Sequence, residues 1–337
     1  ICIDDLKPTI GCFGDPIAIT PNIDGLAARG VRFEMAYCNQ AVCSPSRNSL
    51  MTGLRPQTIG VYDLPTHFRL AAPDAVTMSQ YFKNHGYYAA GLGKIYHTGH
   101  GNKDDQHSWS VPSWRPNAPR YVDEQNLAAI RPDAKGKLRG PATESADVPD
   151  ETYRDGLIAD EAVKQLKSLK QNSTKPFFLA VGFLKPHLPF IAPQRYWDLY
   201  EPTALPMPEI KSAPSGAPSY AKTSGGELRN YSDMPSKGAI DDVTTRHLIH
   251  GYYAATSYAD AQIGKVLAAL DRLELADNTI IALWGDHGWH LGDHGMWCKH
   301  TNYEQAARIP VVVAPPSGSR GFAPMVMIET VDLYPTL

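Results

Sequence analysis

Two pairs of polar residues follow short apolar runs at opposite ends of the chain. Asp4-Asp5 comes after residues 1–3, and Asp286-His287 comes after residues 279–283. Ligands of open α/β sheets bind beyond the carboxyl ends of the strands, so both pairs are expected to converge there. Adjacent carboxylates favour a hard cation such as Ca²⁺ or Mg²⁺. From these residues alone, a turn at Asp4-Asp5 and a helix cap at Asp286 remain the alternative.

A cysteine opens a predicted helix in the sequence Cys43-Ser44-Pro45-Ser46-Arg47. Proline is well tolerated at the first positions of a helix. The positive end of the helix dipole and a nearby cation both favour a thiolate. The alternative is a small buried cysteine beside a capping serine. Five cysteines in 337 residues do not make a disulfide scaffold, and their odd number leaves at least one unpaired.

The elements that must position these residues alternate between short apolar runs and helical patterns, which predicts an α/β fold with a mostly parallel sheet. Strands are predicted at residues 1–3, 31–36, 87–91, 177–183 and 279–283. Helices are predicted at residues 21–30, 44–54, 75–84, 161–169 and 242–275. Two long segments rich in Pro, Ser, Gly and charge, residues 101–149 and 201–238, are expected to be surface insertions that shape a substrate cleft.

Composition excludes several classes of protein. Lys and Arg number 32 against 35 Asp and Glu, and this near-neutral balance without a basic tract argues against nucleic-acid binding. No run of 18 apolar residues occurs, so no membrane span is predicted within the sequence. We expect this sequence to be an excerpt of a longer protein, because its first residues are predicted to lie in a strand and its last residues to begin a helix.

Six segments in order resemble the type I sulfatases of the alkaline phosphatase superfamily. The most specific is Cys-x-Pro-x-Arg at residues 43–47, followed by Thr52-Gly53, the motif in which these enzymes convert cysteine to formylglycine. The other segments are residues 4–14, 20–27, 93–97, 185–189 and 285–299. Within the family the chain resembles the iduronate-type branch, which shares the histidine at position 287.

The resemblance implies an α/β, alkaline-phosphatase-like sandwich with a central, mainly parallel sheet flanked by helices. Residues 1–337 would form the catalytic N-terminal domain, with the start of the first strand and most of a C-terminal subdomain outside this excerpt. Sulfatases of this type are mostly exported to the periplasm, the cell surface or the lysosome. Any signal peptide would lie upstream of these residues.

The resemblance also implies one divalent cation, Ca²⁺ with Mg²⁺ as the alternative. Its ligands would be Asp4, Asp5, Asp286, His287 and the modified Cys43. The implied catalytic residues are Cys43, Arg47, Lys94, His97, His187 and Lys299.

In the implied mechanism, a hydroxyl of the hydrated formylglycine attacks sulfur in line. Arg47 would stabilise the modified side chain, while Lys94 and Lys299 hold the sulfate oxygens. His187 would protonate the leaving alcohol. His97 would take the remaining hydroxyl proton, so that sulfate is expelled and the aldehyde returns.

The function predicted on this basis is removal of sulfate from a sulfated saccharide, acting at the end of a glycan chain, with a uronate 2-O-sulfate as the leading substrate. The required partner is a maturation enzyme that generates formylglycine. One alternative is a phosphomonoester or phosphonate-ester hydrolase of the same fold, because some relatives use the same modified cysteine. A non-enzyme alternative is a degenerate binder of sulfated glycans, but neither a lost nucleophile nor a broken acidic pair is seen in the sequence.

Overall fold

A computed structural model describes residues 1–172, 174–316 and 320–337. The strands are β1 (Cys2–Ile3), β2 (Val31–Tyr37), β3 (Tyr88–Gly93), β4 (Arg131–Pro132), β5 (Leu138–Arg139), β6 (Thr143–Ala146), β7 (Phe177–Phe183), β8 (Phe190–Pro193), β9 (Ile281–Gly285), β10 (His290–Leu291), β11 (Trp297–Cys298), β12 (Arg308–Ala314) and β13 (Met327–Glu329). The helices are α1 (Pro21–Ala28), α2 (Cys43–Thr52), α3 (Pro56–Ile59), α4 (Met78–Asn84), α5 (Glu124–Ala128), α6 (Arg154–Asn172), α7 (Gln194–Trp197), α8 (Asp242–Arg272), α9 (Glu304–Ala307) and α10 (Leu333–Thr336).

Seven strands form the central sheet, in the order β13-β2-β12-β9-β1-β7-β3. The neighbours β9, β1, β7 and β3 run parallel, and β13 is parallel to β2. Only β12 runs against its neighbours β2 and β9. The predicted mainly parallel sheet is therefore confirmed, with one antiparallel strand that the sequence pattern did not indicate.

Helices cover both faces of this sheet. On one face, apolar side chains of α1, α6 and α8, such as Ile23, Ile158 and Ile263, pack against the strands. On the other face, α2, α4 and α10 contribute Leu50, Met78 and Leu333 to a second apolar cluster. Burial of both sheet faces explains why β7 reads as a continuous apolar run rather than an alternating one. The α/β sandwich predicted from the sequence is confirmed.

The register of the four parallel strands brings their carboxyl ends to one edge. Ile3 of β1 pairs with Phe183 of β7 on one side and with Gly285 of β9 on the other. The chain continues from these three positions into Asp4, residue 184 and Asp286. Side chains that follow β1, β7, β9 and β3 therefore converge above this edge.

The two predicted insertions carry short elements. Residues 101–149 include α5 and the strands β4, β5 and β6, and β6 pairs with β8 in a separate parallel ladder. Residues 201–238 contain only short 3₁₀ turns. No helix built from the described residues has the length and apolarity needed to cross a membrane.

Candidate active site

Three carboxylates that are completely shielded from solvent meet above the ends of β1 and β9. Asp4, Asp5 and Asp286 are each at most 1% exposed. The Asp5 amide donates to Asp286 Oδ1 at 3.0 Å, which ties the two strand ends together. Asp5 has φ of 60°, a left-handed conformation unfavourable for a residue with a side chain. Its carbonyl accepts from the hydroxyl of the buried Tyr252 at 2.8 Å, so the surrounding packing holds this strained backbone in place.

Cys43 begins α2, and Arg47 lies one helical turn later on the same side of that helix. All ten residues of α2 are buried. The Cys43 sulfur lies 3.3 Å from Nε2 of His287 and 3.7 Å from Nζ of Lys94. The predicted cysteine therefore faces the predicted metal-binding residues.

Arg47 joins the two acidic strand ends to the helix. Its Nη2 lies 2.9 Å from Asp4 Oδ1, and its Nε lies 2.8 Å from Asp286 Oδ2. Its Nη1 donates to the carbonyl oxygens of Lys94 and Ile95. The guanidinium is fully buried, and such a charge is tolerated because each of its three nitrogens has a hydrogen-bond partner.

Lys94 reaches the site through a close approach of β3 and β7. A Cβ at Gly93, which has φ of 70°, would lie 2.1 Å from the carbonyl oxygen of Gly182. A Cβ at Gly182 would lie equally close to the carbonyl oxygen of Lys94. Only glycine fits both positions. The Lys94 ammonium forms an ion pair with Asp4 and, together with Arg47, holds the pKa of that carboxyl well below its usual range although burial opposes the shift.

Lys299 enters from the segment after β11. Its Nζ lies 2.9 Å from Asp5 Oδ1 and 4.8 Å from the centre of the buried Trp289 ring. Its neighbours Cys298 and His300 have φ of 72° and 73°, so the backbone is strained on both sides of the lysine. Burial opposes ionisation of the Cys43 thiol, but the charges of Lys299 and Lys94 lower its pKa.

His187 and Glu227 complete the site on the open side. His187 Nε2 lies 3.1 Å from Glu227 Oε1 and 3.9 Å from Asp5 Oδ2. The other Glu227 oxygen lies 3.0 Å from Lys299 Nζ. Burial opposes protonation of His187, but the Asp5 and Glu227 carboxylates raise its pKa. Sequence reasoning missed Glu227, which belongs to the insertion 201–238, because nothing in its local sequence distinguishes it from a solvated acidic residue.

His97 is buried, and its hydrogen-bond partner is His100, with 3.2 Å between Nε2 and Nδ1. Burial and the neighbouring Lys94 charge lower the pKa of His97 to about 3. His97 is therefore neutral at physiological pH and carries one unprotonated ring nitrogen. Its ring partner, His100, lies outside the family motifs and was not predicted.

The donor set fits a divalent cation. Ligand atoms of Asp4, Cys43, Asp286 and His287 lie within 4.8 Å of one another, and so do those of Asp4, Asp5, Cys43 and His187. Nδ1 of His287 lies 3.0 Å from the Gly288 carbonyl oxygen and can donate to it, so that Nε2 faces the site. Burial opposes protonation of this ring, but Asp286 and Cys43 raise its pKa to about 9, and a bound cation would take the place of the Nε2 proton. Three buried carboxylates are the oxygen ligands that Ca²⁺ and Mg²⁺ prefer.

These elements define an alkaline-phosphatase-like sandwich with a buried acidic centre facing a helix-terminal cysteine. The Sulfatase family profile matches residues 1–337, and the chain belongs to the sulfatase family.

Individual relatives agree with this membership. The chain is 38% identical to iduronate 2-sulfatase of Mus musculus over 325 residues, which cover 94% of this chain and 58% of that protein. It is 35% identical to iduronate 2-sulfatase of Homo sapiens over 374 aligned residues, covering the whole chain and 67% of that protein. The chain thus spans about three fifths to two thirds of the length of these relatives. The phosphonate monoester hydrolase of Silicibacter pomeroyi shares the fold, with a TM-score of 0.75, 21% identity, and coverage of 100% of this chain and 71% of that one.

Proposed function

We propose that the protein is a formylglycine-dependent sulfuric ester hydrolase that removes sulfate from a terminal sugar of a sulfated glycan. The observation that carries the proposal is the position of Cys43, at the start of a buried helix and within 3.7 Å of both His287 and Lys94. The family membership supports sulfate esters as the substrate class. The similarity to two iduronate 2-sulfatases supports a uronate 2-O-sulfate as the first substrate to test.

Two groups added after synthesis would supply the reactive centre. Conversion of Cys43 to formylglycine, by a dedicated maturation enzyme, would supply a hydroxyl nucleophile on its hydrated form. A divalent cation, which we propose to be Ca²⁺, would be held by Asp4, Asp5, Asp286 and His287 and would supply positive charge for the nucleophile and the sulfate oxygens.

The chain's own cations bind and orient the sulfate. The Lys94 ammonium lies 3.7 Å from the Cys43 sulfur, the Lys299 charge also acts on that thiol, and both ammonium groups would hold the sulfate oxygens. Arg47 fixes position 43 relative to the acidic centre through its two buried ion pairs. Attack in line with the departing oxygen requires this fixed geometry, because displacement at sulfur is sensitive to alignment.

Two histidines have environments suited to opposite proton transfers. His187 has its pKa raised and lies on the open side, so it suits donation of a proton to the leaving alcohol. His97 is neutral because burial and the Lys94 charge lower its pKa, so a ring nitrogen is free to take, as a weak but positioned base, the hydroxyl proton that must be removed before sulfate departs. Export from the cytoplasm stays a prediction from the family resemblance.

The proposal is tested by measuring inorganic sulfate released from defined sulfated saccharides. The protein is co-expressed with a formylglycine-generating enzyme, and conversion at position 43 is verified by intact mass. Cys43→Ala is the matched control. Release by the converted protein but not by Cys43→Ala supports the proposal. Equal release by both, or none from any sulfate ester by the converted protein, contradicts it. Release only from internal positions of long chains would contradict terminal action.

A further inference from the structure

A cleft of about 130 Å³ leads away from the active site and is lined by two groups of cationic residues. Lys94 and His187, which face the acidic centre, line part of it. Arg120 and Arg154 line it too, although they come from different segments. Arg120 belongs to the insertion 101–149, and Arg154 is the first residue of α6. The cleft therefore connects the site of sulfate release to two arginines that have no role there.

Acidic residues in the cleft already have partners. Asp4 forms ion pairs with Arg47 and Lys94. Asp155 accepts the backbone amides of Leu184 and Lys185 at 2.9 and 2.7 Å.

Lys185 is also engaged, because its ammonium donates to the carbonyl oxygens of His187 and Pro189. Within the described ranges, neither the Arg120 nor the Arg154 guanidinium forms a hydrogen bond or an ion pair. The charge of Asp155 acts on Arg154, but both arginines are exposed and their guanidinium groups are free to bind an anion directly.

Two features make this arrangement weakly unfavourable without an anion, although both arginines are exposed and therefore hydrated. Arg154 occupies the amino end of a 19-residue helix, where the helix dipole favours negative rather than positive charge. Partial burial and, to a smaller extent, the charge of Arg120 lower the pKa of the Arg154 guanidinium, while the charge of Asp155 raises it. An anion between the two side chains would remove both penalties.

We propose that Arg120 and Arg154 form a subsite for a second anionic group of the substrate, a carboxylate or a second sulfate on the same saccharide. Paired guanidinium groups bind such oxyanions through parallel hydrogen bonds. The cleft is smaller than the roughly 300 Å³ of typical ligand pockets, so it fits a substituent of a sugar rather than a separate ligand. The inference rests on the proposed function, because it assumes that the sulfate ester lies between Lys94 and Lys299.

The test compares sulfate esters that differ only in the second anion. The substrates are a 2-O-sulfated uronide, its analogue with hydroxymethyl in place of the carboxylate, a disulfated analogue of the same sugar, and 4-nitrophenyl sulfate. The double variant Arg120→Ala/Arg154→Ala is compared with wild type. Arg272→Ala, an exposed arginine at the end of α8, is the matched control. If the alanine double variant melts early, Arg120→Gln/Arg154→Gln replaces it.

For the double variant we expect kcat/KM to fall about tenfold or more, mainly through KM, on the substrate whose second anion the subsite binds. Activity on 4-nitrophenyl sulfate and on the hydroxymethyl analogue should stay within about twofold, because these lack the second charge. Loss on the uronide alone identifies a carboxylate subsite, and loss on the disulfated sugar alone identifies a sulfate subsite. Equal loss on all substrates, or no loss on any, overturns the inference.

Failure of the proposed function is distinguished by a binding measurement that needs no turnover. The dissociation constants of the uronide and the disulfated sugar are measured by calorimetry on the Cys43→Ala background, with and without the arginine substitutions. Binding of either probe that weakens about tenfold without the arginines supports the subsite even if no sulfate is ever released. Unchanged binding of both overturns it.

Discussion

Replacing Arg47 by alanine removes the charge that holds the two acidic strand ends together. Asp4 keeps the ammonium of Lys94 after this change, whereas Asp286 Oδ2 loses the guanidinium at 2.8 Å and keeps only the more distant His287 ring at 3.6 Å. The backbone amides of Asp5 and His287 still donate to the other Asp286 oxygen at 3.0 Å. Both buried ion pairs of Arg47 are broken, but Asp4 retains Lys94, so the main damage is the pair lost at Asp286 together with two carbonyl oxygens, of Lys94 and Ile95, left without their donor.

The magnitude follows from these losses. Removing one partner of a buried ion pair costs about 3–5 kcal/mol. The two carbonyl oxygens add about 1 kcal/mol each. The sum, roughly 5–7 kcal/mol, is a large part of the stability of a domain. At about 2 °C per kcal/mol, the thermal midpoint should fall by about 10–14 °C.

The assay is thermal unfolding followed by circular dichroism, in a chelator so that no added cation masks the loss. Arg29→Ala is the matched control, because the Arg29–Asp271 pair is largely exposed and should contribute little. Arg47→Lys should lie between Arg47→Ala and wild type, since one ammonium can reach only part of the network. An Arg47→Ala midpoint within about 2 °C of wild type would refute the reasoning.

Three further predictions concern charge at the site. Glu227→Gln should lower kcat/KM for sulfate esters about tenfold or more, because the carboxylate holds His187 and Lys299 at 3.1 and 3.0 Å. Substitution of the exposed Glu209 by Gln, in the same insertion, should leave kcat/KM unchanged. Equal activity of the two variants would contradict this role of Glu227. The pKa of His97 falls from 6.5 when unfolded to about 3 when folded, so its stabilising contribution is complete above pH 6.5 and is lost as pH falls towards 3. At pH 5 the contribution of His97 to the free energy of unfolding is lower by about 2 kcal/mol than at pH 7.5. Urea unfolding at the two pH values should therefore show a larger loss of stability for wild type than for His97→Gln. An equal loss in the two proteins would count against a neutral buried His97. Chelation of the cation should lower the thermal midpoint and stop sulfate release. Adding Ca²⁺ at about a hundred times its Kd should restore about 3 kcal/mol of the free energy of unfolding. A thermal midpoint that chelation leaves unchanged would argue against a bound cation.

The fold was predictable because its signals are local. Phe177–Phe183 is a buried parallel strand, as its continuous apolar run predicts, and the helix predicted at residues 242–275 is observed as Asp242–Arg272. The pairing of β6 with β8 was not predictable, because it joins an insertion to a short strand distant in sequence. Element ends also shifted, as for the helix predicted at residues 161–169, which begins at Arg154.

The site was predictable to the extent that its residues lie in family motifs or at strand ends. The residues predicted as metal ligands lie together, and Arg47, Lys94, His187 and Lys299 surround them; their catalytic roles stay predictions. Glu227 could not be found, because its significance arises from a loop that folds over the site. For the same reason the shared cleft of Arg120 and Arg154 was not predictable from the sequence.

The central claim is that this active site hydrolyses sulfate esters through a modified Cys43. The most direct measurement is kcat/KM for a matched pair, a sulfate ester and the phosphate ester of the same alcohol, using protein whose conversion at position 43 has been verified by intact mass. The account predicts a higher kcat/KM on the sulfate ester, and loss of that activity in Cys43→Ala. A higher kcat/KM on the phosphate ester would contradict it.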